Sequence, residues 1–215
     1  MLIVFDLDGT LIDSQRDLAE STNEMLATYG AAPLPIEAVA GMVGEGARGL
    51  VRRALAALAL SPDESEAIAR FRAAYDRRLL DHTRPYPGIP EMLAALSACA
   101  RLAVVTNKPE APARRILDAL DLATRFARLI GGDSGFPRKP DPAAVRHLMD
   151  ETGDGPTDTY LVGDSMVDVE TAQNAGVRMC LALYGFGRLR GPLTLRGDEL
   201  QAERPEDVAR LVLTR

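Results

Sequence analysis

Cysteine, histidine, excess positive charge and long apolar runs are all scarce in this chain. Its two cysteines, Cys99 and Cys180, stand far apart in apolar surroundings without metal-ligand spacing. That excludes a disulfide framework and a thiolate metal centre, and reads as small core residues in a reducing compartment. His82 and His147 are isolated beside helical sequence, so they read as surface or capping side chains rather than a nucleophile–base pair. Against 31 Asp and Glu there are 25 Lys and Arg, a formal net charge of −6, with no basic footprint for nucleic acid. No run is long enough to span a membrane, and the beginning lacks a basic region followed by an apolar signal segment. The expectation is a cytoplasmic protein that engages neither nucleic acid nor membrane. No internal repeat or low-complexity tract is present.

What the 215 residues do contain, at 47% hydrophobic content, is enough apolar material for one large domain or two smaller ones. Leu2, Ile3, Val4 and Phe5 form an apolar, β-branched run that predicts a buried strand, and it leads directly into Asp6-Leu7-Asp8-Gly9-Thr10. Residues i and i+2 of a strand point the same way, so Asp6 and Asp8 are expected to share one site at the strand's carboxyl end, with Gly9 allowing a sharp turn beyond. Two carboxylates that close need a cation or a proton between them, and a divalent metal suits hard oxygen ligands. The bland alternative is a strand end turning through Asp and Gly, which are ordinary turn residues.

Further strand-like runs lie at Leu102–Val105, Leu129–Ile130, Tyr160–Val162 and Val177–Leu183. Helical patterns lie between and around them, at Pro90–Cys99, Ala111–Leu122, Pro142–Thr152 and Val167–Ala175. Strand alternating with helix predicts an α/β fold, a Rossmann-like parallel sheet with helices on both faces. The first strand departs from this rhythm. The segment between it and the second strand is helical for far longer than one crossover requires, with candidate helices at Asp17–Ala27, Ile36–Val43, Ala47–Leu60 and Asp63–Leu80. We therefore expect residues 14–84 to form an inserted α-helical unit, and residues 1–13 with 85–215 to form the α/β core. The stiff Arg84-Pro85-Tyr86-Pro87-Gly88 suits the boundary. Arg196–Arg204 reads as a polar surface loop before a short helix at Glu206–Leu213.

Other strand ends carry matching chemistry. Val104-Val105-Thr106-Asn107-Lys108 offers a hydroxyl, an amide and backbone N–H groups suited to a phosphoryl oxygen, with capping of the next helix by Thr106 and Asn107 as the lesser alternative. In Arg138-Lys139-Pro140-Asp141-Pro142, prolines on both sides of Asp141 stiffen the loop that presents Lys139, whose ammonium can neutralise a carboxylate and a transferring phosphoryl group together. Val162-Gly163-Asp164-Ser165-Met166-Val167-Asp168 again ends an apolar strand in acid, with Asp168 alternatively a favourable residue for the first turn of a helix. A third carboxylate near Asp6 and Asp8 makes sense mainly with Mg²⁺.

These four stations, in this order, resemble the four motifs of the haloacid dehalogenase-like hydrolases, and the resemblance covers the whole chain. It implies Asp6 as nucleophile, Asp8 as general acid–base, Lys139 as a catalytic cation, and Thr106 and Asn107 as substrate ligands. It implies Mg²⁺ held by Asp6, by Asp8 through its backbone carbonyl, and by Asp164, with Asp168 in support. An acid at Asp8 is similar to the phosphatase and phosphomutase branch. Val43-Gly44-Glu45-Gly46-Ala47-Arg48, Tyr86-Pro87-Gly88, Thr106-Asn107-Lys108, Gly132-Asp133-Ser134 and Arg138-Lys139-Pro140-Asp141-Pro142 together look like the phosphoglycolate phosphatase group. That implies 2-phosphoglycolate as substrate, with a phosphatase or mutase for another small phosphoester such as a sugar phosphate as the alternative. A catalytically silent protein that binds a phosphorylated ligand is the rival of a different class. The partner expected is a small phosphorylated metabolite, handled by a monomer or homodimer.

Gly44-Glu45-Gly46-Ala47-Arg48-Gly49 spells a dinucleotide-type glycine string, but helical spacing precedes it where that fingerprint requires a strand. A helix–turn–helix tip whose amides can approach a small anion fits better, and such an insertion resembles the mobile cap of the same superfamily. Ala47, Leu50, Val51, Ala54 and Leu58 are expected as the buried stripe of the second of these helices. Arg48 and Arg52 lie beside it, available to a substrate carboxylate or simply forming a solvated basic face.

Overall fold

The computed structural model describes residues 1–187 and 195–214, and a six-stranded parallel sheet is its centre. The central strand is β1 (Leu2–Phe5), buried throughout. Beyond it in the chain come β2 (Ile12–Asp13), β3 (Arg84–Pro85), β4 (Arg101–Val105), β5 (Arg128–Ile130), β6 (Thr159–Gly163), β7 (Arg178–Ala182) and β8 (Leu200–Ala202). The sheet order is β5-β4-β1-β6-β7-β8. A parallel sheet is covered on both faces, so its inner strands need continuous apolar runs, and Leu2 to Phe5 supply one.

Alternation along β1 divides the core in two. Ile3 and Phe5 pack on one face with α5 (Ile89–Ser97), α6 (Glu110–Ala119) and α9 (Pro205–Leu213). Leu2 and Val4 pack on the other with α7 (Ala143–Thr152) and α8 (Met166–Ala175). The expected α/β architecture is the observed one.

Between β1 and β4 the chain leaves the sheet. The short β2 and β3 pair antiparallel, and the chain between them forms α1 (Gln15–Ala27), α2 (Ile36–Ala40), α3 (Gly46–Ala57) and α4 (Glu64–Arg77). Leu18, Met25, Val39, Leu50, Val51, Ala54, Leu55 and Phe71 are the buried sides of these helices; Ala47 and Leu58 of the expected stripe pack only partly against them. The two ends of the insertion are also joined by Asp17. Its fully buried carboxylate accepts hydrogen bonds from the backbone N–H groups of His82 at 3.0 Å and Thr83 at 2.8 Å and from the Thr83 hydroxyl at 2.7 Å.

Three details differ from the sequence expectation. Arg196–Arg204 contains β8, in which Leu200 and Ala202 turn inward and Gln201 outward, an alternation too short to stand out in a polar stretch. Cys99 is exposed just beyond α5 rather than in the core, whereas Cys180 on β7 is buried. The helix expected over Ala47–Leu60 stops at Ala57, because the chain turns through Ala59 at φ 52°. Among the described residues no helix is long and apolar enough to cross a membrane.

Candidate active site

Strand register assembles the site. Phe5 lies opposite Val104 on one side and Val162 on the other, so the residues just beyond them, Asp6, Thr106 and Asp164, emerge along one edge of the sheet. At β1 the strand order reverses, which is where open α/β sheets leave a crevice. A cavity of about 350 Å³ opens there, walled below by Asp6, Asp8, Thr106 and Lys108 and above by residues of the helical insertion such as Gly46 and Tyr75.

Asp6 and Asp8 reach this cavity differently from the expectation. The strand stops at Phe5, and the chain folds back at once: the Leu7 carbonyl accepts from the N–H groups of Leu11 at 2.9 Å and Ile12 at 3.1 Å while Gly9 adopts φ 86°. The two carboxylates therefore take different partners. Asp6 pairs with the Lys139 ammonium at 2.9 Å. Asp8 accepts from Lys108 Nζ at 2.7 Å on both oxygens and from the Ser14 hydroxyl at 2.5 Å.

Lys139 is itself buried, and its ammonium also donates to Asp168 at 2.6 Å. Asp168 sits in the first turn of α8, where its second oxygen accepts from the backbone N–H of Ser165 at 3.1 Å and from its hydroxyl at 2.6 Å. The helix-turn role and the site role thus belong to one side chain. Burial alone would lower the Lys139 pKa, but Asp168 and Asp6 outweigh it and hold the ammonium above its ordinary value.

Oxygens of Asp6, Asp164 and Asp168 lie within 4.8 Å of one another, and all three residues are buried. Around Asp164 the chain is compressed by glycine. A Cβ on Gly9 would fall 1.9 Å from Asp164 Oδ2, and Gly185 and Gly187 leave almost as little room. Among the described residues the carboxylate accepts from the Gly187 N–H at 2.6 Å and, at 3.4 Å, from the Thr10 hydroxyl. Burial first, then Asp168 and Asp6, push the Asp164 carboxyl well above the ordinary range. Burial likewise raises Asp6 to about 6, with Lys139 opposing and Asp168 and Asp8 adding. Three buried hard-oxygen donors, against one ammonium, fit a divalent cation by charge and by ligand type. Asp8 is not in this cluster through its carboxylate.

Thr106 keeps its hydroxyl proton available, since the oxygen accepts from the Lys108 N–H at 3.2 Å. Asn107 differs from its expected use as a phosphate donor. Its Nδ2 donates to the Gly44 carbonyl at 2.8 Å and to the Lys139 carbonyl at 3.0 Å, so the amide ties the insertion to the lysine loop, and its buried Oδ1 has no partner among the described residues. Arg48 and Arg52 are not brought to the cavity. Both are exposed, Arg48 pairing with Glu64 and Arg52 lying 3.7 Å from Glu45, so the solvated basic face describes them. They lie on α3 beside its buried stripe of Leu50, Val51, Ala54 and Leu55. The positive φ of Gly44 and Gly46 does place that helix start against the site: a Cβ on Gly46 would sit 2.8 Å from the Asn107 carbonyl.

Sequence reasoning missed Lys108 as a site cation and the glycines at 185 and 187. The signal for the latter was present, since Tyr184-Gly185-Phe186-Gly187 directly follows the last apolar run.

Comparison with known proteins points the same way as the geometry. Residues 3–182 match the family model described as haloacid dehalogenase-like hydrolase. A phosphoglycolate phosphatase of Rhodospirillum rubrum is 44% identical over 194 residues, 86% of this chain and 80% of that protein. One of Aquifex aeolicus is 34% identical over 98% of this chain and 96% of its own length. The crystal structure of a predicted phosphoglycolate phosphatase from Haemophilus somnus superposes with a TM-score of 0.89 at 33% identity, covering 100% of this chain and 97% of that one.

Proposed function

The chain belongs to the haloacid dehalogenase-like hydrolases, and from that premise we propose that it is a Mg²⁺-dependent phosphomonoesterase that hydrolyses 2-phosphoglycolate to glycolate and phosphate. The observation that carries this reading is the buried Asp6 carboxylate at the floor of the cavity, paired with Lys139 and flanked by two further buried acids. Asp6 attacks phosphorus in line and forms an aspartyl phosphate while the ester oxygen leaves. Asp8, held by Ser14 and Lys108 on the same wall, enters the step in its protonated form, gives that oxygen the proton, and as the carboxylate then takes one from the water that opens the aspartyl phosphate. Lys139 neutralises charge on the transferring oxygens, Asp168 holds Lys139 in place, and the Thr106 hydroxyl donates to the phosphoryl group.

Asp6 and Asp164, with the Asp8 backbone carbonyl and Asp168 beside them, would hold the Mg²⁺. When bound it supplies positive charge to the phosphoryl oxygens and removes the mutual repulsion of the acids. We assign residues 14–84 as a cap over the core formed by 1–13 and 85–215, which lets the insertion exclude water from the aspartyl phosphate. Two free cysteines suit a cytoplasmic setting, in which the chain acts on a small phosphorylated metabolite as a monomer or homodimer.

The test is phosphate release from a panel of 2-phosphoglycolate, hexose phosphates and pyrophosphate, with Mg²⁺ and with a chelator. We expect Mg²⁺-dependent turnover with the highest kcat/KM for 2-phosphoglycolate. Turnover of a hexose phosphate with none of 2-phosphoglycolate would overturn the substrate assignment.

A further inference from the structure

The ammonium that holds Asp8 belongs to a residue that also lines the cavity. Lys108 comes after Thr106 and Asn107 beyond β4, is 7% exposed, and lines the cavity. Its Nζ lies 2.7 Å from both Asp8 oxygens, and the ring of Tyr75, from α4 of the insertion, lies 4.8 Å from it on centroid. An ammonium carries three donors, so it can keep one on Asp8 and turn another toward an arriving anion.

We infer that Lys108 is the residue that reads the substrate's carboxylate. The inference rests on the substrate reading above and deepens it. A leaving oxygen that takes its proton from Asp8 must lie about 2.6–3.2 Å from that carboxylate, and the same carboxylate holds Nζ at 2.7 Å. In 2-phosphoglycolate a single methylene separates the leaving oxygen from the carboxylate, so the second anion arrives beside Lys108. Two further cations line the cavity, Arg115, which is paired with Asp76, and Arg72 on α4; what singles out Lys108 is its contact with Asp8.

The experiment compares wild type, Lys108→Gln, Lys108→Arg and Arg48→Ala, all full length with Mg²⁺, on two substrates. These are 2-phosphoglycolate and 2-hydroxyethyl phosphate, which keeps the methylene and replaces the carboxylate by a neutral group. In Lys108→Gln, kcat/KM for 2-phosphoglycolate is expected to fall about 10- to 100-fold further than for 2-hydroxyethyl phosphate, the loss that follows from one charged hydrogen bond, with the difference in KM. Lys108→Arg, which keeps the charge, recovers part of the preference, Arg48→Ala leaves it unchanged, and inhibition of Lys108→Gln by free phosphate stays as in wild type. Equal losses on both substrates, loss of phosphate inhibition, or an Arg variant as indifferent as the Gln variant would overturn the role of Lys108 while the wild-type preference stands. A wild type indifferent to the carboxylate would overturn the substrate reading, and this inference with it.

Discussion

Replacing Asp164 by asparagine is predicted to make the metal-free protein more stable while abolishing its activity. Asp164 is 3% exposed, and its oxygens lie within 4.8 Å of those of Asp6 and Asp168. At an effective dielectric near 20, two like unit charges at that separation repel by about 3.5 kcal/mol. Lys139 offsets roughly one of the two repulsions, and protonation of a carboxyl whose pKa is already raised limits the remainder. The amide still accepts from the Gly187 N–H and can donate to the Thr10 hydroxyl, so little hydrogen bonding is lost. The net gain is on the order of 1–2 kcal/mol, or roughly 2–8 °C in Tm for a chain of this size. Thermal melts in chelator measure it directly. In saturating Mg²⁺ the order reverses, because wild type gains about 2.7 kcal/mol at a hundredfold excess over Kd and the variant gains less. A variant that melts below wild type in chelator, or that gains as much from Mg²⁺, would refute the picture of three acids destabilising one another until a cation arrives.

The other consequences concern Asp6 and Asp17. Because burial raises the Asp6 carboxyl to about 6, the folded metal-free protein binds that proton more tightly than the unfolded chain does. Its contribution is therefore fully present below about pH 4 and lost as pH rises toward 6, by on the order of 3 kcal/mol. The difference in Tm between Asp6→Asn and wild type, followed in chelator, should widen in favour of the variant across that window and then level off. Asp17→Ala leaves the Thr83 N–H and hydroxyl buried without their acceptor and is expected to cost about 2–4 kcal/mol by urea denaturation. A loss under about 0.5 kcal/mol, the usual range of an inconsequential substitution, would show that the carboxylate does not hold the ends of the insertion together.

Much of the site could be read from the sequence because its main residues come directly after the most conspicuous strands. Leu2 to Phe5 and Tyr160 to Val162 are too apolar to lie anywhere but inside, and parallel pairing then brings the residues beyond them to one edge. What was not legible depended on pairings between distant segments. Nothing local tells that Lys108 meets Asp8 100 positions away, that Asp17 accepts from Thr83, or that the Asn107 amide is used up by Gly44 and Lys139. Helical periodicity separated the buried and open faces of α3, but not which of its open residues face the cavity, so Arg48 and Arg52 were candidates that the packing excludes from it. β2, β3 and β8, of two or three residues each, are too short to produce a pattern at all.

The mechanism stands or falls on Asp6 carrying the phosphoryl group during turnover. Acid-quenching the wild-type protein while it turns over saturating 2-phosphoglycolate, followed by peptide mass spectrometry, reads this out. One added phosphoryl group is expected on the N-terminal peptide, localised to Asp6, formed at the start of turnover and absent from Asp6→Asn. Steady Mg²⁺-dependent phosphate release by Asp6→Asn, or a phosphoryl group trapped on another residue, would rule Asp6 out as the nucleophile.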